Sequence, residues 1–101
     1  MIASLPIAID QEEIARFCRE RGIRRLALFG SVTRADFTSG SDVDLLVEYL
    51  PGRHPGLMLF RQQDELSAQF RRRVDLHTPA SLSKYFRADV LHSALPVYEQ
   101  A

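Results

Sequence analysis

Cysteine is nearly absent from this sequence, which contains only Cys18 and therefore cannot form an internal disulfide. Net charge is also absent, because thirteen basic residues balance thirteen acidic ones, so charge neither favours nor excludes a nucleic-acid partner. The sequence lacks an apolar run of membrane-spanning length and a secretory signal. These absences predict a cytoplasmic protein with reduced thiols and no membrane segment.

The remaining composition is that of an ordinary globular domain. Hydrophobic residues make up 46% and charged residues 26% of the 101 residues, which is enough for one modest core. The chain contains no repeats, no low-complexity segment and no internal linker. The sequence therefore predicts a single domain over residues 1–101.

Helical and extended patterns alternate along the chain. Asp10 with Glu13 is typical of a helix start, and Gly22 of a helix end. The pattern beyond this first helix predicts strands over residues 24–30, 42–50, 73–78 and 95–99, and helices over residues 57–70 and 79–93. In the first of these two helices, the predicted core residues are Leu57, Phe60, Leu66 and Phe70. This alternation predicts an α/β fold in which one small mixed β-sheet packs against helices.

Two aspartates begin the second predicted strand, "DVDLLVEYL" (42–50). Its "VDLLV" core is apolar on both faces, which predicts a strand covered on both sides. Asp42 and Asp44 are two residues apart, so their side chains point to the same face. Two carboxylates about 6–7 Å apart on a strand repel each other by about 2–3 kcal/mol in a partly hydrated protein site. Either they are gatekeeper charges at the start of the strand, which disfavour aggregation, or they bind a cation.

The segment before these aspartates suits a phosphate group. Gly30 has no Cβ, so a ligand can approach the backbone closely. Ser31 could cap a short helix in "SVTRAD" (31–36) and leave backbone N–H groups aimed at an anion. Arg34 could add a charge-assisted contact or remain a solvated helix residue. If the first two strands are antiparallel neighbours, these groups lie beside the carboxylates, and a phosphate there requires a cation such as Mg²⁺.

A third aspartate follows in "VDL" (74–76). If the third strand lies parallel to the second, Asp75 joins Asp42 and Asp44 on one face of the sheet. The alternative for Asp75 is an ion pair with a nearby arginine. His77 is the histidine expected closest to this cluster, because it follows Asp75 by two residues.

Gly-Ser, ten residues, Asp-x-Asp and a later strand aspartate resemble the nucleotidyltransferase superfamily with a DNA polymerase β-type palm. "GSVTRADFTSGSDVDLLVEY" (30–49) and "RRVDLHTPASL" (72–82) are similar to the minimal nucleotidyltransferases (MNT), the antitoxins of MNT–HEPN toxin–antitoxin pairs. The resemblance covers about residues 10–100. It implies Mg²⁺- or Mn²⁺-dependent transfer of AMP from ATP to a tyrosine hydroxyl of a HEPN-domain toxin, with release of pyrophosphate.

The resemblance also assigns roles to residues. It implies that Asp42, Asp44 and Asp75 bind metal and catalyse, and that Gly30, Ser31 and Arg34 bind the nucleotide. The implied partner is a protein in a homo- or hetero-oligomer, without direct contact to nucleic acid. Two departures from the family pattern occur at Ala35, where a glycine commonly follows the arginine, and at Arg71 and Arg72, where a glycine often precedes the third strand.

All three aspartates are present, which favours an active enzyme. The alternative is a non-catalytic antitoxin that neutralises its partner by contact alone. Either function requires a surface for the partner. We expect that surface to include the loop "LPGRHPG" (50–56) and exposed apolar residues of the last segment, namely Leu91, Leu95, Val97 and Tyr98.

Overall fold

The computed structural model describes residues 9–30 and 40–100. Within these ranges the chain forms three α-helices, one 3₁₀ turn and one four-stranded sheet. In chain order the elements are α1 (Gln11–Glu20), β1 (Ile23–Phe29), β2 (Val43–Tyr49), α2 (Met58–Phe70), β3 (Val74–His77), the 3₁₀ turn η1 (Pro79–Ser81), α3 (Arg87–Ser93) and β4 (Leu95–Glu99). None of the helices in the described part of the chain is long and apolar enough to cross a membrane.

The first helix forms as its sequence predicts. The Asp10 carboxylate accepts a hydrogen bond from the Glu13 N–H at 3.1 Å and so caps the N-terminus of α1. Ile14, Phe17 and Cys18 form its buried face. Burial raises the pKa of the Cys18 thiol to about 12. The thiol is therefore protonated at neutral pH and packs as a small apolar side chain.

The sheet is mixed, with strand order β3-β2-β1-β4. β1 is antiparallel to both β2 and β4, whereas β2 and β3 are parallel. This arrangement confirms the predicted small mixed sheet. β4 lies at an edge, where the missing N–H of Pro96 interrupts no ladder on the outer side.

The core lies between one face of the sheet and the helices α1 and α2. Val43, Leu45 and Val47 of β2 belong to the buried cluster together with residues of both helices. Leu46 points to the opposite face of the sheet by the alternation of the strand and is also fully buried. The turn η1 contacts β2. The predicted burial of both faces of β2 is therefore confirmed.

The predicted helix over residues 79–93 is wrong in its first half. The chain forms only the turn η1 there, and α3 begins at Arg87. The Ser81 hydroxyl donates to the Thr78 carbonyl at 2.8 Å and accepts from the Thr78 N–H at 3.1 Å, which is part of a capping box that begins the turn. The helical turn does not continue beyond Ser81. Leu82 then adopts an extended conformation and is buried.

Two of the predicted core residues of α2 are exposed instead. The exposed fractions are 86% for Leu57 and 61% for Phe60, whereas Leu66 is fully buried and Phe70 packs against the core. The buried face of α2 is centred on Gln62 and Leu66, which are one helical turn apart. Leu57 precedes the helix, and Phe60 lies about 140° around the helix axis from the centre of that face, so neither reaches the core.

The apolar surface predicted for the last segment also needs a correction at Val97, which is only 4% exposed and belongs to the core cluster. Leu95 is exposed, and Leu91 and Tyr98 are half-buried. The more prominent exposed apolar side chains are elsewhere. Leu57, Met58 and Phe60 surround the start of α2, directly after the predicted contact loop.

Arg71, the residue after α2, is one of the two departures from the family pattern. Arg71 has a left-handed backbone conformation (φ 56°, ψ 37°), and its N–H bonds to the Ser67 carbonyl. Left-handed helix C-caps favour glycine, because a Cβ there is sterically costly. The sequence therefore places an arginine where the geometry suits a glycine.

We expect Arg71→Gly to stabilise the fold by about 0.5–1 kcal/mol, because the relief of this steric cost outweighs the added flexibility of the unfolded chain. Urea denaturation measures the change. Arg72→Gly is the matched control: Arg72 has no positive φ and donates from its guanidinium to the Ser41 carbonyl at 3.4 Å, so this variant should be destabilised. A loss of stability in Arg71→Gly would contradict the reading of the cap.

Candidate active site

Strand register brings two of the predicted metal ligands together. Asp44 on β2 is paired with Asp75 on the parallel strand β3, and on its other side with Phe29 on β1. Asp42 precedes Asp44 by two residues and shares its face of the sheet. Both conditions set by the sequence are met, namely that β1 and β2 are antiparallel neighbours and that β2 and β3 are parallel neighbours. The three aspartates therefore lie at one end of one sheet face.

Gly30 lies directly against this carboxylate cluster. It follows β1 with φ 76°, and a Cβ at this position would lie 2.6 Å from the Asp44 Oδ2 atom. A side chain at position 30 would therefore collide with the Asp44 carboxylate as well as strain the backbone. The sequence predicted a glycine that makes room for a ligand phosphate. The structure adds that this glycine makes room for Asp44 itself.

Ser31 and Arg34 lie outside the described residues, as does Ala35. The phosphate contacts predicted for Ser31 and Arg34 therefore remain predictions, and the effect of the Ala35 departure does too.

Arg73 is a member of the cluster that the sequence reasoning did not single out. Its Nε lies 3.5 Å from Asp75 Oδ1 and 3.8 Å from Asp42 Oδ2. The ion pair considered as an alternative role for Asp75 is thus present. The Arg73 side chain is 74% exposed, and ion pairs of this kind contribute only about 0–1 kcal/mol. Such a weak contact leaves both carboxylates open to a stronger cation. The only sequence signal for it was a basic residue two positions before Asp75.

His77 also contacts Asp44, and it lies close to the cluster, as its spacing from Asp75 predicted. Its Nε2 is 3.5 Å from Asp44 Oδ1, and its ring makes an edge contact with Phe29 at a centroid distance of 5.3 Å. The phenyl ring holds the imidazole against the sheet face. Asp44 therefore has a histidine, a glycine backbone and a second carboxylate as its neighbours.

The electrostatic environment disfavours the charged form of Asp44. Burial raises the pKa of this carboxyl above its usual value, and the negative charges of Asp75 and Asp42 add to the effect, whereas His77 opposes it. A folded state that raises the pKa of a carboxyl binds its proton more tightly than the unfolded state does. The free energy of unfolding therefore falls as pH rises from the unfolded pKa of 3.8 through the folded pKa.

We expect Asp44→Asn to raise the stability of the metal-free protein at neutral pH, because the variant removes a carboxylate that is costly to ionise. The same variant should flatten the decline of stability with rising pH above 3.8. Thermal unfolding in EDTA at several pH values measures both effects. Asp64→Asn, at an exposed position on α2, is the control and should do neither. An Asp44→Asn variant less stable than the wild type at neutral pH would contradict this assignment.

The donor set suits a hard divalent cation. Carboxylate oxygens are the ligands that Mg²⁺ prefers. A cation would offset both the burial that chiefly raises the pKa of Asp44 and the smaller repulsion from Asp75 and Asp42. Within residues 9–30 and 40–100, no group of three acidic, histidine or cysteine side chains could hold a metal ion as it stands, so a cation here needs further ligands from a bound nucleotide or water. A site that keeps positions free for water and phosphate is the usual arrangement for Mg²⁺ bound together with a nucleotide.

The parallel pair of aspartates, the adjacent glycine turn and the mixed sheet together define a class. The family described as "Nucleotidyltransferase domain" matches residues 11–97, so this chain belongs to the nucleotidyltransferase family and its activity is nucleotidyl transfer. The protein adenylyltransferase MntA of Thermococcus cleftensis is 37% identical over 81 residues, which are 78% of this chain and 80% of that protein.

Solved structures agree with this assignment. One described as a minimal nucleotidyltransferase has a TM-score of 0.70 and 34% identity, and the match covers 85% of this chain and 87% of the other. A toxin–antitoxin structure with AMP-PNP has a TM-score of 0.67 at 18% identity, covering 91% of this chain and 75% of the other, and shares the fold. The chain is therefore a minimal nucleotidyltransferase of the DNA polymerase β-like superfamily, which confirms the resemblance and the fold class.

Proposed function

We propose that this nucleotidyltransferase moves AMP from ATP to a tyrosine hydroxyl of a HEPN-domain toxin and thereby acts as its antitoxin. The observation that carries the proposal is the pairing of Asp44 with Asp75 on parallel strands, with Gly30 against Asp44. The name of the 37% identical relative supports adenylyl transfer to a protein. The structure of a toxin–antitoxin with AMP-PNP supports an adenine nucleotide and a toxin partner.

Asp42, Asp44 and Asp75 would hold the divalent cation. When bound, Mg²⁺ or Mn²⁺ supplies positive charge that offsets the charge of the triphosphate and of the reacting phosphoryl group. The other contacts in the site come from the chain's own residues. Gly30 lets the Asp44 carboxylate lie directly against the end of β1, and Ser31 and Arg34 are the proposed contacts to the triphosphate.

The reaction exchanges one bond to the α-phosphorus for another. The phenolic oxygen forms a bond to the α-phosphorus, and the bond between that phosphorus and the oxygen bridging to the β-phosphate breaks. Pyrophosphate leaves with the electron pair of the broken bond. The phenolic proton passes to water in the open site, because the aspartates are assigned to the cation and the raised pKa of Asp44 belongs to the metal-free protein.

The toxin must provide the surface that faces the attacking hydroxyl. We propose that it also docks on the loop 50–56 and the start of α2, at the end of β2 remote from Asp42 and Asp44, where Leu57, Met58 and Phe60 are exposed. This contact would hold the complex together and would not line the reaction site. Large exposed apolar side chains concentrated at one place favour a protein partner over a small molecule. Leu95 at the edge strand is a further candidate.

A contact-only antitoxin is the second candidate function, and the exposed apolar surface alone would serve it equally well. The intact carboxylate cluster favours the enzyme, because uncompensated carboxylates cost stability and a contact-only protein has no use for them. Incubation with the toxin and labelled ATP distinguishes the two. Adenylyl transfer labels the toxin from α-³²P-ATP and never from γ-³²P-ATP, because pyrophosphate leaves. Labelling from γ-³²P-ATP would indicate a kinase instead.

A further inference from the structure

β3 is a short edge strand, yet it carries one of the three carboxylates. It has four residues, and only β2 pairs with it in the sheet. The burial of Val74 and Leu76 specifies part of its register, because a slip of one residue turns every side chain to the opposite face. Such a slip would remove Asp75 from Asp44 and bury it against the core.

Two side chains of α2 bond the outward amides of β3. The Val74 N–H donates to Ser67 Oγ at 3.0 Å, and the Leu76 N–H donates to Gln63 Oε1 at 2.9 Å. Asp75 is the residue between these two amides. Gln63 and Ser67 are one helical turn apart, a rise of about 6 Å along the helix. Val74 and Leu76 are two residues apart, a rise of about 6.6 Å along the strand, so the two pairs match in spacing.

Ser67 also anchors the turn that leads into β3. Its hydroxyl donates to the Gln63 carbonyl at 2.9 Å while it accepts from Val74, so both of its hydrogen-bonding functions are used. Its carbonyl accepts from the N–H groups of Arg71 and Arg72. Ser67 therefore makes hydrogen bonds to α2, to the turn and to the first residue of β3.

We infer that Ser67 and Gln63 are positioning residues for Asp75: by bonding the amides on either side of it, they fix the register that places its carboxylate opposite Asp44. This inference rests on the proposed role of the carboxylates as metal ligands. Residues that orient metal ligands typically change metal affinity about 10–100-fold when they are mutated. A purely structural role, in which the two side chains only protect a sheet edge, would change stability without changing the site.

Gln62 provides the matched control. It is adjacent to Gln63 on the same helix and is buried, but it accepts a hydrogen bond from the Tyr49 hydroxyl at 2.5 Å, at the end of β2 remote from Asp42 and Asp44. Gln62→Met therefore removes a buried hydrogen bond from α2 without touching β3. Ser67→Thr is the conservative variant, because a threonine hydroxyl can make the same bond to the carbonyl four residues earlier.

The test is Mn²⁺ titration by calorimetry, with thermal unfolding measured on the same samples. We expect Ser67→Ala and Gln63→Met each to weaken Mn²⁺ binding by about tenfold or more, Ser67→Thr to bind as the wild type does, and Gln62→Met to lose stability but not affinity. Unchanged Mn²⁺ affinity in Ser67→Ala and Gln63→Met would overturn the inference. Equal weakening in Gln62→Met would also overturn it, since the effect would then follow stability alone.

Asp75→Asn in the same titration separates this inference from the proposed function. If Asp75→Asn weakens Mn²⁺ binding while the α2 variants do not, the metal site stands and the positioning role fails. If Asp75→Asn leaves the affinity unchanged, the assignment of Asp75 as a ligand fails, and the positioning inference fails with it.

Discussion

The double variant Asp42→Asn, Asp44→Asn should fold normally and transfer AMP about a thousandfold more slowly than the wild type, or not at all. Asparagine keeps the size of aspartate but lacks the charge that holds a divalent cation. Without that cation, the charge of the triphosphate and of the leaving pyrophosphate has no counterpart in the site, and losses of this kind cost several kcal/mol of transition-state stabilisation.

The measurement is transfer of label from α-³²P-ATP to the toxin, with circular dichroism and thermal unfolding as checks on the fold. Asp64→Asn is the control, since it removes one carboxylate from an exposed position on α2, and it should transfer label at the wild-type rate. The stability gain expected for Asp44→Asn makes the comparison sharper, because inactivity could not then be explained by unfolding. A double variant that retains most of the activity would refute the metal-ligand assignment.

Removal of divalent metal should have an effect of similar size. With excess EDTA, we expect ATP binding to weaken by at least about tenfold and AMP transfer to cease, because Asp42, Asp44 and Asp75 repel the triphosphate when no cation lies between them. Calorimetric titration of ATP with and without Mg²⁺ measures the difference.

The double asparagine variant is the matched control for metal removal. Because it no longer holds the cation, its residual ATP affinity should respond little to EDTA. Equal ATP affinity of the wild-type protein with and without divalent metal would contradict the account of the carboxylates.

Much of the fold follows from local sequence signals. Asp10 predicts the start of α1 and Gly22 its end, because capping and left-handed turns depend on single residues. The apolar run after Asp42 predicts a strand buried on both faces, as β2 is. The α/β alternation predicts the small mixed sheet, whereas antiparallel β1 and β2 and parallel β2 and β3 were only conditions for a common site, and the structure meets both.

The mispredicted parts of the fold depend on competing interactions whose relative strengths cannot be read from the sequence. The capping box of Thr78 and Ser81 starts a turn, but the chain becomes extended at the buried Leu82 and so ends the predicted helix over residues 79–93 early. Phe60 has an apolar side chain, but α2 turns its face with Gln62 and Leu66 toward the core. A buried glutamine is not an expected centre for such a face, and only the contact with the Tyr49 hydroxyl reveals the reason.

The carboxylate site, like the fold, could be predicted from the sequence only in part. The spacing of Asp42, Asp44 and Asp75 could be read from the sequence, because strand alternation determines which face each side chain takes. The contacts of Arg73 and the support from Ser67 and Gln63 could not, because they depend on how the turn after α2 closes. Arg71 in a left-handed conformation is part of that closure.

Mass spectrometry of the toxin purified after co-expression with this chain tests the central claim most directly. The account predicts a toxin heavier by one or more AMP units, with the added mass located on a tyrosine. It also predicts that co-expression with Asp44→Ala yields an unmodified toxin that still forms the complex, because the proposed contact surface around Leu57 and Phe60 is unchanged. A toxin that carries no AMP and is silenced equally well by the wild type and by Asp44→Ala would contradict the account.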